Sequence, residues 1–298
     1  GWMVVGPTPR RSELAALLSS AMPADTPAAR GGPVTTSLPD SAYLDAVARA
    51  QELIAAGDCY QVNLAQRLMA SWDADPLALA ARLWHATGAA SHRAFLDLPE
   101  GQLVSASPER LVSAAGGVAL SEPIKGTARR GAPWPEIATA TNRAEHVMIV
   151  DLVRNDLGRV ARVGGVTVPA LMRRLTTPYV DHMVSTVRAE LRPGSTAADL
   201  LRAVFPGGSV TGAPKIRSME IIDDLEPAPR GPAYGSVISI ARDGTLEASV
   251  AIRTAWCTAD TAYYWCGGAI VWDSDPHEEQ AEAWAKGTPF LRALGGKR

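Results

Sequence analysis

Three consecutive strand-like segments in the last third of the chain constrain the fold more than any other feature. They cover residues 233–241, 246–256 and 261–272, and short turns containing Arg242-Asp243-Gly244 and Thr258-Ala259-Asp260 separate them. Strands joined by such turns pair antiparallel, because a parallel connection needs a crossover of about a dozen residues. The three segments therefore predict an antiparallel sheet.

A second group of short strands is predicted over residues 92–124, where Pro99-Glu100-Gly101 and Gly116-Gly117 are turn signals. Residues 60–65 alternate apolar and polar side chains, which predicts a half-buried strand. Helical patterns follow Asp40 and cover residues 76–86, 134–157, 197–204, 214–226 and 277–295. Strands and helices do not alternate strictly, so the pattern indicates the α+β class with largely antiparallel sheets.

The first 40 residues differ from the rest of the chain. Residues 22–40 are rich in Pro, Gly and Thr, which is typical of a linker or a long surface loop. We therefore predict a residual N-terminal segment and linker over residues 1–40 and one catalytic domain over residues 41–298. A chain of 298 residues is long enough to bury a substantial core.

Charge and cysteine content narrow the functional classes. A net charge of -2 gives no reason to expect nucleic acid as a partner, and no apolar run approaches the roughly 20 residues that cross a bilayer. Cys59, Cys257 and Cys266 are odd in number and match no zinc-binding spacing. We expect them to be small buried residues in a reducing compartment, by default the cytoplasm.

Two pairs of oxygen-bearing side chains are spaced three residues apart on predicted helices. Asn142 and Glu145 form one pair, and Glu279 and Glu282 form the other. Magnesium takes oxygen ligands and keeps some of its waters, so two such helix faces are able to hold a magnesium ion. By spacing alone, solvated helix faces explain these four residues better.

Residues 206–215 are rich in glycine and lead into a predicted helix. Glycines permit close approach of the backbone, and free N–H groups at a helix start bind anions. The segment lacks the Gly-Lys-Ser/Thr ending of a Walker loop, and a purely structural loop is the alternative interpretation.

Four further residues are candidates for chemistry. Lys125, at the end of a strand run, would be a nucleophile if its amine were partly desolvated, and Glu109 is a candidate general acid. Taken alone, the two residues are explained better as a surface lysine and as an ion-pair partner of Arg110. His182 is alone, and a lone histidine is more often a packed residue than a catalyst. Arg253 lies in an apolar strand run and needs an anion, such as a carboxylate.

Taken in order, the segments that carry these residues closely resemble the chorismate-utilising enzymes. The resemblance runs from about residue 42 to the C-terminus and rests on the motifs SPER, PIKGT, RAEHVMIVDLVRNDLGRV, DHMVST, GGSVTGAPKIRSMEIID, VAIRT and DSDPHEEQAEAWAK. The family includes anthranilate, aminodeoxychorismate, isochorismate and salicylate synthases. It implies antiparallel sheets that form a sandwich flanked by helices, here shortened at the N-terminus.

The resemblance also implies a role for each matching position. The expected magnesium ligands are Glu145, Glu279 and Glu282, with Asn142 where the family usually has an acidic residue. The expected substrate-binding residues are Ser209, Thr211, Gly212, Tyr234, Ile252, Arg253, Gly267 and Lys286. The expected catalytic residues are Lys125, Glu109 and His182.

Lys125 distinguishes between branches of the family. Aminodeoxychorismate synthases resemble this chain in carrying a lysine in the PIKGT motif, whereas anthranilate synthases usually carry alanine. In the aminodeoxychorismate synthases the lysine is expected to attack chorismate. Ammonia from a separate glutamine amidotransferase subunit then displaces the lysine. The resemblance thus implies the synthesis of 4-amino-4-deoxychorismate for p-aminobenzoate and folate.

Several positions depart from the family pattern, namely Ala233, Ile238, Ala269 and Asn142. Changes of size in a substrate pocket alter its fit, so two alternatives stay open. One is an enzyme similar to anthranilate or aminodeoxyisochorismate synthases, and the other is a non-catalytic homologue that binds chorismate.

Overall fold

The structure, a computed structural model, describes residues 30–73, 75–88, 90–176 and 180–295. The predicted N-terminal segment and the first part of the predicted linker, up to residue 29, lie outside the described residues. The helices are α1 (Asp40–Ala55), α2 (Pro76–Thr87), α3 (Trp134–Ile137), α4 (Ala140–Gly158), α5 (Ala197–Val204), α6 (Lys215–Leu225) and α7 (Pro276–Ala293). None of them is long and apolar enough to cross a membrane.

The strands of the described residues form two sheets. The first sheet contains β1 (Arg30–Gly31), β2 (Thr35–Thr36), β3 (Gln61–Asp73), β4 (His92–Leu98), β5 (Gly101–Ser107), β11 (Gly212–Ala213), β14 (Thr254–Cys257) and β15 (Thr261–Ile270). The second contains β6 (Arg110–Ala115), β7 (Val118–Ser121), β8 (Ile124–Arg129), β9 (Ala161–Thr176), β10 (Val180–Leu191), β12 (Ser236–Ile240) and β13 (Leu246–Val250).

Every strand pairing within the described residues is antiparallel, which confirms the predicted class. The first sheet runs β1–β3–β15–β14–β5–β4, and β2 and β11 also pair with β3. The second runs β12–β13–β6–β7–β10–β8, and β9 pairs with β10. The longest pairing joins β3 to β15 over ten residues, which makes β3 a central strand.

Apolar cores on both faces of the first sheet show how the layers pack. Between the sheets, Ala65 and Trp265 of the first sheet join Val112 and Ala248 of the second in one cluster. On the outer face, α2 and α7 pack on β3 and β15 through Leu68, Leu83, Tyr264 and Phe290. The sheets therefore form the expected sandwich flanked by helices. Cys59, Cys257 and Cys266 are buried and free, as predicted.

Two predicted segments are divided in the structure. The strand predicted over residues 246–256 is two strands in different sheets, because the chain turns at residues 251–253 and Arg253 adopts a φ of 52°. The helix predicted over residues 134–157 is α3 followed by α4, and the side chain of Thr139 caps α4 by accepting the N–H of Asn142. Both breaks lie beside candidate site residues.

Two other predictions were wrong or incomplete. β3 is not half-buried, since Gln61 and Asn63 are as buried as Val62, while Tyr60 is 72% exposed just before the strand. β9 was not predicted. It contains glycines and a proline, and its pairing with β10 has three register shifts, so regular alternation is lost.

Candidate active site

Lys125 on β8 and Glu145 on α4 form an ion pair, with 2.6 Å between Nζ and Oε2. Both side chains are only 15% exposed. A β-bulge places the lysine there. His182 pairs with Thr127 and the next residue, Met183, pairs with Lys125, so Gly126 is the extra residue, with a φ of 68°. Strand alternation is interrupted at Gly126, which lets Lys125 reach the helix.

Glu109, between β5 and β6, is buried, with 8% of the residue exposed. Burial raises the pKa of Glu109, and the hydrogen bond from the Ser209 side chain and the charges of Lys125, Arg253 and Lys286 oppose this shift without cancelling it. The structure thus brings the predicted acid, the predicted nucleophile and two predicted substrate-binding cations together. A carboxyl group that tends to keep its proton is suited to donate it.

Helix α7 contributes Glu279, Glu282 and Lys286. Asp275 caps the helix by accepting the N–H groups of His277 and Glu278. The Lys286 ammonium lies 2.5 Å from Glu282 Oε1 and donates to the carbonyl of Gly267 at 2.9 Å. This lysine therefore ties α7 to β15.

The pKa of Glu279 is raised to about 6, mainly by burial, and the negative charges of Glu282 and Glu145 add to this shift. The Ser274 hydroxyl, which donates to Oε1 at 2.7 Å, opposes it. The carboxylates of α4 and α7 are therefore close enough to repel each other. A divalent cation would relieve this repulsion, and carboxylate oxygens are ligands that magnesium accepts.

The donor chemistry fits magnesium, but the ligands are arranged as ion pairs. Within the described residues, no group of three His, Cys, Asp or Glu side chains is close enough to hold a metal ion. Glu145 is bonded to Lys125 and Glu282 to Lys286. Asn142 lies at the start of α4, and its amide nitrogen donates to the carbonyl of Ile137 at 2.9 Å. Glu145, Glu279 and Glu282 are the residues that would hold the ion.

His182 on β10 bonds through Nδ1 to the hydroxyl of Thr127 at 2.8 Å. Burial lowers its pKa, and the charge of Arg253 lowers it further, while Asp181 opposes the shift. The lowered pKa favours the neutral form of the imidazole. The effect of Arg253 on both His182 and Glu109 places all three around one site.

Arg253 and Tyr234 both adopt the left-handed backbone conformation that is rare for residues other than glycine, with φ of 52° and 60°. Such strain persists only where the surrounding structure enforces it, and it is frequent at binding sites. Here the carbonyl of Arg253 accepts the N–H of Ala106, and the N–H of Tyr234 donates to Ala251. Ile252, between the two sheets, bonds to the carbonyl of Val250.

The glycine-rich loop is packed against β3. The hydroxyl of Thr211 donates to the carbonyl of Gly207, and Ser209 faces Glu109. A Cβ on Gly212 would lie 2.1 Å from the carbonyl oxygen of Gln61, and one on Gly267 would lie 2.0 Å from that of Leu64. Close strand approach therefore explains why both positions are glycine.

Three residues that the sequence interpretation did not assign also belong to the site, namely Thr127, Gly268 and Ser274. A Cβ on Gly268 would lie 2.8 Å from Glu279 Oε2 and 3.8 Å from Lys286 Nζ, so this glycine makes room for both side chains. The signal was the run of small residues in β15, and Thr127 was part of a recognised motif. Ser274 was likewise part of a recognised motif, DSDPHEEQAEAWAK.

Known proteins of related sequence point to one family. The sequence profile of the chorismate binding enzymes matches residues 8–292. Aminodeoxychorismate synthase component 1 of Bacillus subtilis (strain 168) is 38% identical over 291 residues, which cover 95% of this chain and 61% of that protein. Anthranilate synthase component 1 of Thermus thermophilus is 41% identical over 261 residues, which cover 85% of this chain and 56% of that protein. The chain therefore spans less than two thirds of these relatives.

A solved structure has the same architecture. Anthranilate synthase component I from Streptococcus pneumoniae TIGR4 superposes with a TM-score of 0.80 at 31% identity, over 94% of this chain and 65% of that one.

Proposed function

Because the chain belongs to the family of chorismate binding enzymes, we propose that it converts chorismate and ammonia to 4-amino-4-deoxychorismate, as component I of an aminodeoxychorismate synthase. The observation that carries this proposal is the placement of Lys125. Its side chain is only 15% exposed, its amine bonds to Glu145, and its charge acts on the buried carboxyl of Glu109. A nucleophile and an acid therefore share one site, within the predicted catalytic domain of residues 41–298.

The reaction proceeds by two displacements. Unprotonated Lys125 Nζ forms a bond to C2 of chorismate, the ring double bonds shift, and the C4–O bond breaks while Glu109 protonates the leaving hydroxyl to water. Ammonia then forms a bond to C4, the double bonds shift back, and the C2–N bond breaks to release Lys125. The Glu109 carboxylate takes the surplus proton from the new ammonium group, so the sum is chorismate plus ammonia to product plus water.

The charges of the site suit a dicarboxylate substrate. Magnesium held by Glu145, Glu279 and Glu282 would neutralise one carboxylate of chorismate. Arg253 and Lys286 supply positive charge for binding the other. The residues proposed to form the wall of the substrate pocket are Ser209, Thr211, Gly212, Tyr234, Ile252 and Gly267.

Ammonia would come from a separate glutamine amidotransferase subunit. The curated relatives are named as component 1, and that name implies a second component. Free ammonia should replace this partner in vitro.

The test is to incubate the chain with chorismate, magnesium and ammonium at alkaline pH and to identify products by mass and retention. Aminodeoxychorismate is the expected product. Mass spectrometry of the intact protein, quenched during turnover, should show a chorismate-derived adduct that is missing from Lys125→Ala. Full activity of Lys125→Ala would exclude the covalent step, provided that calorimetry shows unchanged chorismate binding.

A second candidate is an anthranilate synthase-like activity, favoured by the 41% identity to the Thermus thermophilus enzyme. Anthranilate or a C2-aminated product in the same assay would support it. Chorismate binding without any product would instead indicate a non-catalytic homologue.

A further inference from the structure

Thr127 and His182 are directly opposite each other on paired strands. β8 and β10 are antiparallel, and Thr127 is the register partner of His182, so their side chains lie on the same face. The distance of 2.8 Å between Thr127 Oγ1 and His182 Nδ1 is a good hydrogen bond. One edge of the imidazole is therefore fixed, and Nε2 is the ring nitrogen that remains for a ligand.

The tautomer of His182 decides what Nε2 offers. In a neutral imidazole one nitrogen donates and the other accepts, and the bond made by one nitrogen determines the role of the other. A threonine hydroxyl can play either part, so the Thr127 bond alone leaves two possibilities.

The surrounding charges favour one of them. The guanidinium of Arg253 is the positive charge that acts on His182, and Asp181 is the negative one. Asp181 directly precedes His182 on β10, so its side chain points to the opposite face of the sheet, where Oδ2 accepts from the Gly131 N–H and from Arg174. A neighbouring cation stabilises the Nδ1–H tautomer, whose Nε2 carries a lone pair. The same cation destabilises the Nε2–H tautomer, which directs an N–H toward the positive charge.

We propose that Thr127 is a positioning residue that accepts a hydrogen bond from His182 Nδ1–H and thereby holds Nε2 unprotonated, as an acceptor for a hydroxyl or amine donor of the substrate. The role in catalysis rests on the proposed function. The tautomer itself is a property of the free protein.

The bulge at Gly126 gives this pair its specific place. Lys125 and Thr127 are separated by one residue, yet Lys125 bonds to α4 and Thr127 to β10. The same short motif therefore fixes the position of the proposed nucleophile and the orientation of the histidine ring.

The test is nitrogen NMR of protein labelled in histidine. The chain has five histidines, and His182→Gln identifies the signal. Wild type and Thr127→Ser should show the Nδ1–H tautomer, whereas Thr127→Val should show a mixture. Ammonia-dependent kcat should fall about tenfold in Thr127→Val, the equivalent of one lost hydrogen bond of ~1.4 kcal/mol, and Thr127→Ser should retain most of it.

An Nε2–H tautomer in the wild-type protein would overturn the proposal. This measurement needs no turnover, and the His182→Gln variant serves only to assign the signal. An unchanged His182 signal in folded Thr127→Val would overturn it as well. If the wild type made no aminodeoxychorismate but had the expected tautomer, the proposed function would fail and the assignment of Thr127 would stand.

Discussion

Glu109 is the residue at which the proposed chemistry and the stability of the fold oppose each other. Its carboxyl is buried beside Ser209 and is needed as an acid. Glu109→Gln keeps the size of the side chain and removes the proton donor. We expect ammonia-dependent activity to fall about 10²- to 10⁴-fold, the usual contribution of general acid–base catalysis, while the thermal midpoint of unfolding rises at neutral pH.

The pH dependence of this stability gain follows from the direction of the pKa shift. Burial raises the pKa of Glu109 in the folded protein above the unfolded value of about 4.3. As pH rises between these two values, the unfolded chain loses its proton first, so the wild type loses stability until pH passes the folded pKa. The difference in midpoint between Glu109→Gln and wild type should therefore grow over this window and then stay constant. Glu100→Gln, at an exposed turn, is the control, and a difference independent of pH would contradict the prediction.

A substitution at Gly268 tests whether the Glu279 carboxylate is a magnesium ligand. A methyl group there would meet Glu279 Oε2 at 2.8 Å, so Gly268→Ala should displace this carboxylate. We expect magnesium to bind about 10- to 100-fold more weakly in calorimetry, as for changes in groups that orient metal ligands. Gly158→Ala is the matched control, because a Cβ on Gly158 would have nothing within 4 Å and its φ is ordinary. Equal magnesium affinity in both variants would argue against Glu279 as a ligand.

At the scale of elements, the bulge in β8 connects the nucleophile, the histidine and α3. Gly126 has a φ of 68°, and a Cβ there would lie 2.3 Å from the carbonyl oxygen of Ile137. Gly131 has a φ of 78° but open space around its Cβ position. Gly131→Ala should therefore lose about 1 kcal/mol of unfolding free energy from backbone strain, and Gly126→Ala should lose more because it adds a clash. Urea denaturation measures both, and equal losses would show that the contact with Ile137 relaxes freely.

The sequence predicted elements well where local chemistry decides and less well where tertiary pairing decides. The turn residues gave the antiparallel class, and spacing placed Glu279 and Glu282 on one helix face. Residues 246–256, by contrast, have the composition of one uninterrupted strand, and nothing local reveals that the chain turns at Arg253 from one sheet to the other. The residues of the site were recognisable from ordered motifs, but their ion pairs depend on a bulge and on packing between distant elements.

At the scale of the molecule, one buried ion pair joins parts that are far apart in sequence. Glu226 follows α6, and its side chain is 5% exposed. It accepts from the guanidinium of Arg230 at 2.6 Å and from the N–H of Ala65 on β3 at 2.8 Å. Arg230 also donates to the carbonyls of Asn63 and Val210 and stacks over Tyr234 at 4.5 Å. The central strand, the glycine-rich loop and a strained pocket residue thus share one charged network.

Breaking this network should destabilise the whole chain rather than one loop. Glu226→Gln would leave the Arg230 cation buried without its counter-charge, and the loss of one partner of a buried pair typically costs about 3–5 kcal/mol. Glu52→Gln is the matched control, because the Arg49–Glu52 pair lies on the surface, with side chains 57% and 66% exposed, and such pairs contribute about 0–1 kcal/mol. Urea denaturation should show a lower midpoint for Glu226→Gln with an unchanged slope. The slope is proportional to the surface area that unfolding exposes, and this area stays the same if the variant still unfolds as one unit. A loss no larger than that of Glu52→Gln would mean that backbone hydrogen bonds and apolar contacts hold the sheets and the glycine-rich loop together without help from this ion pair.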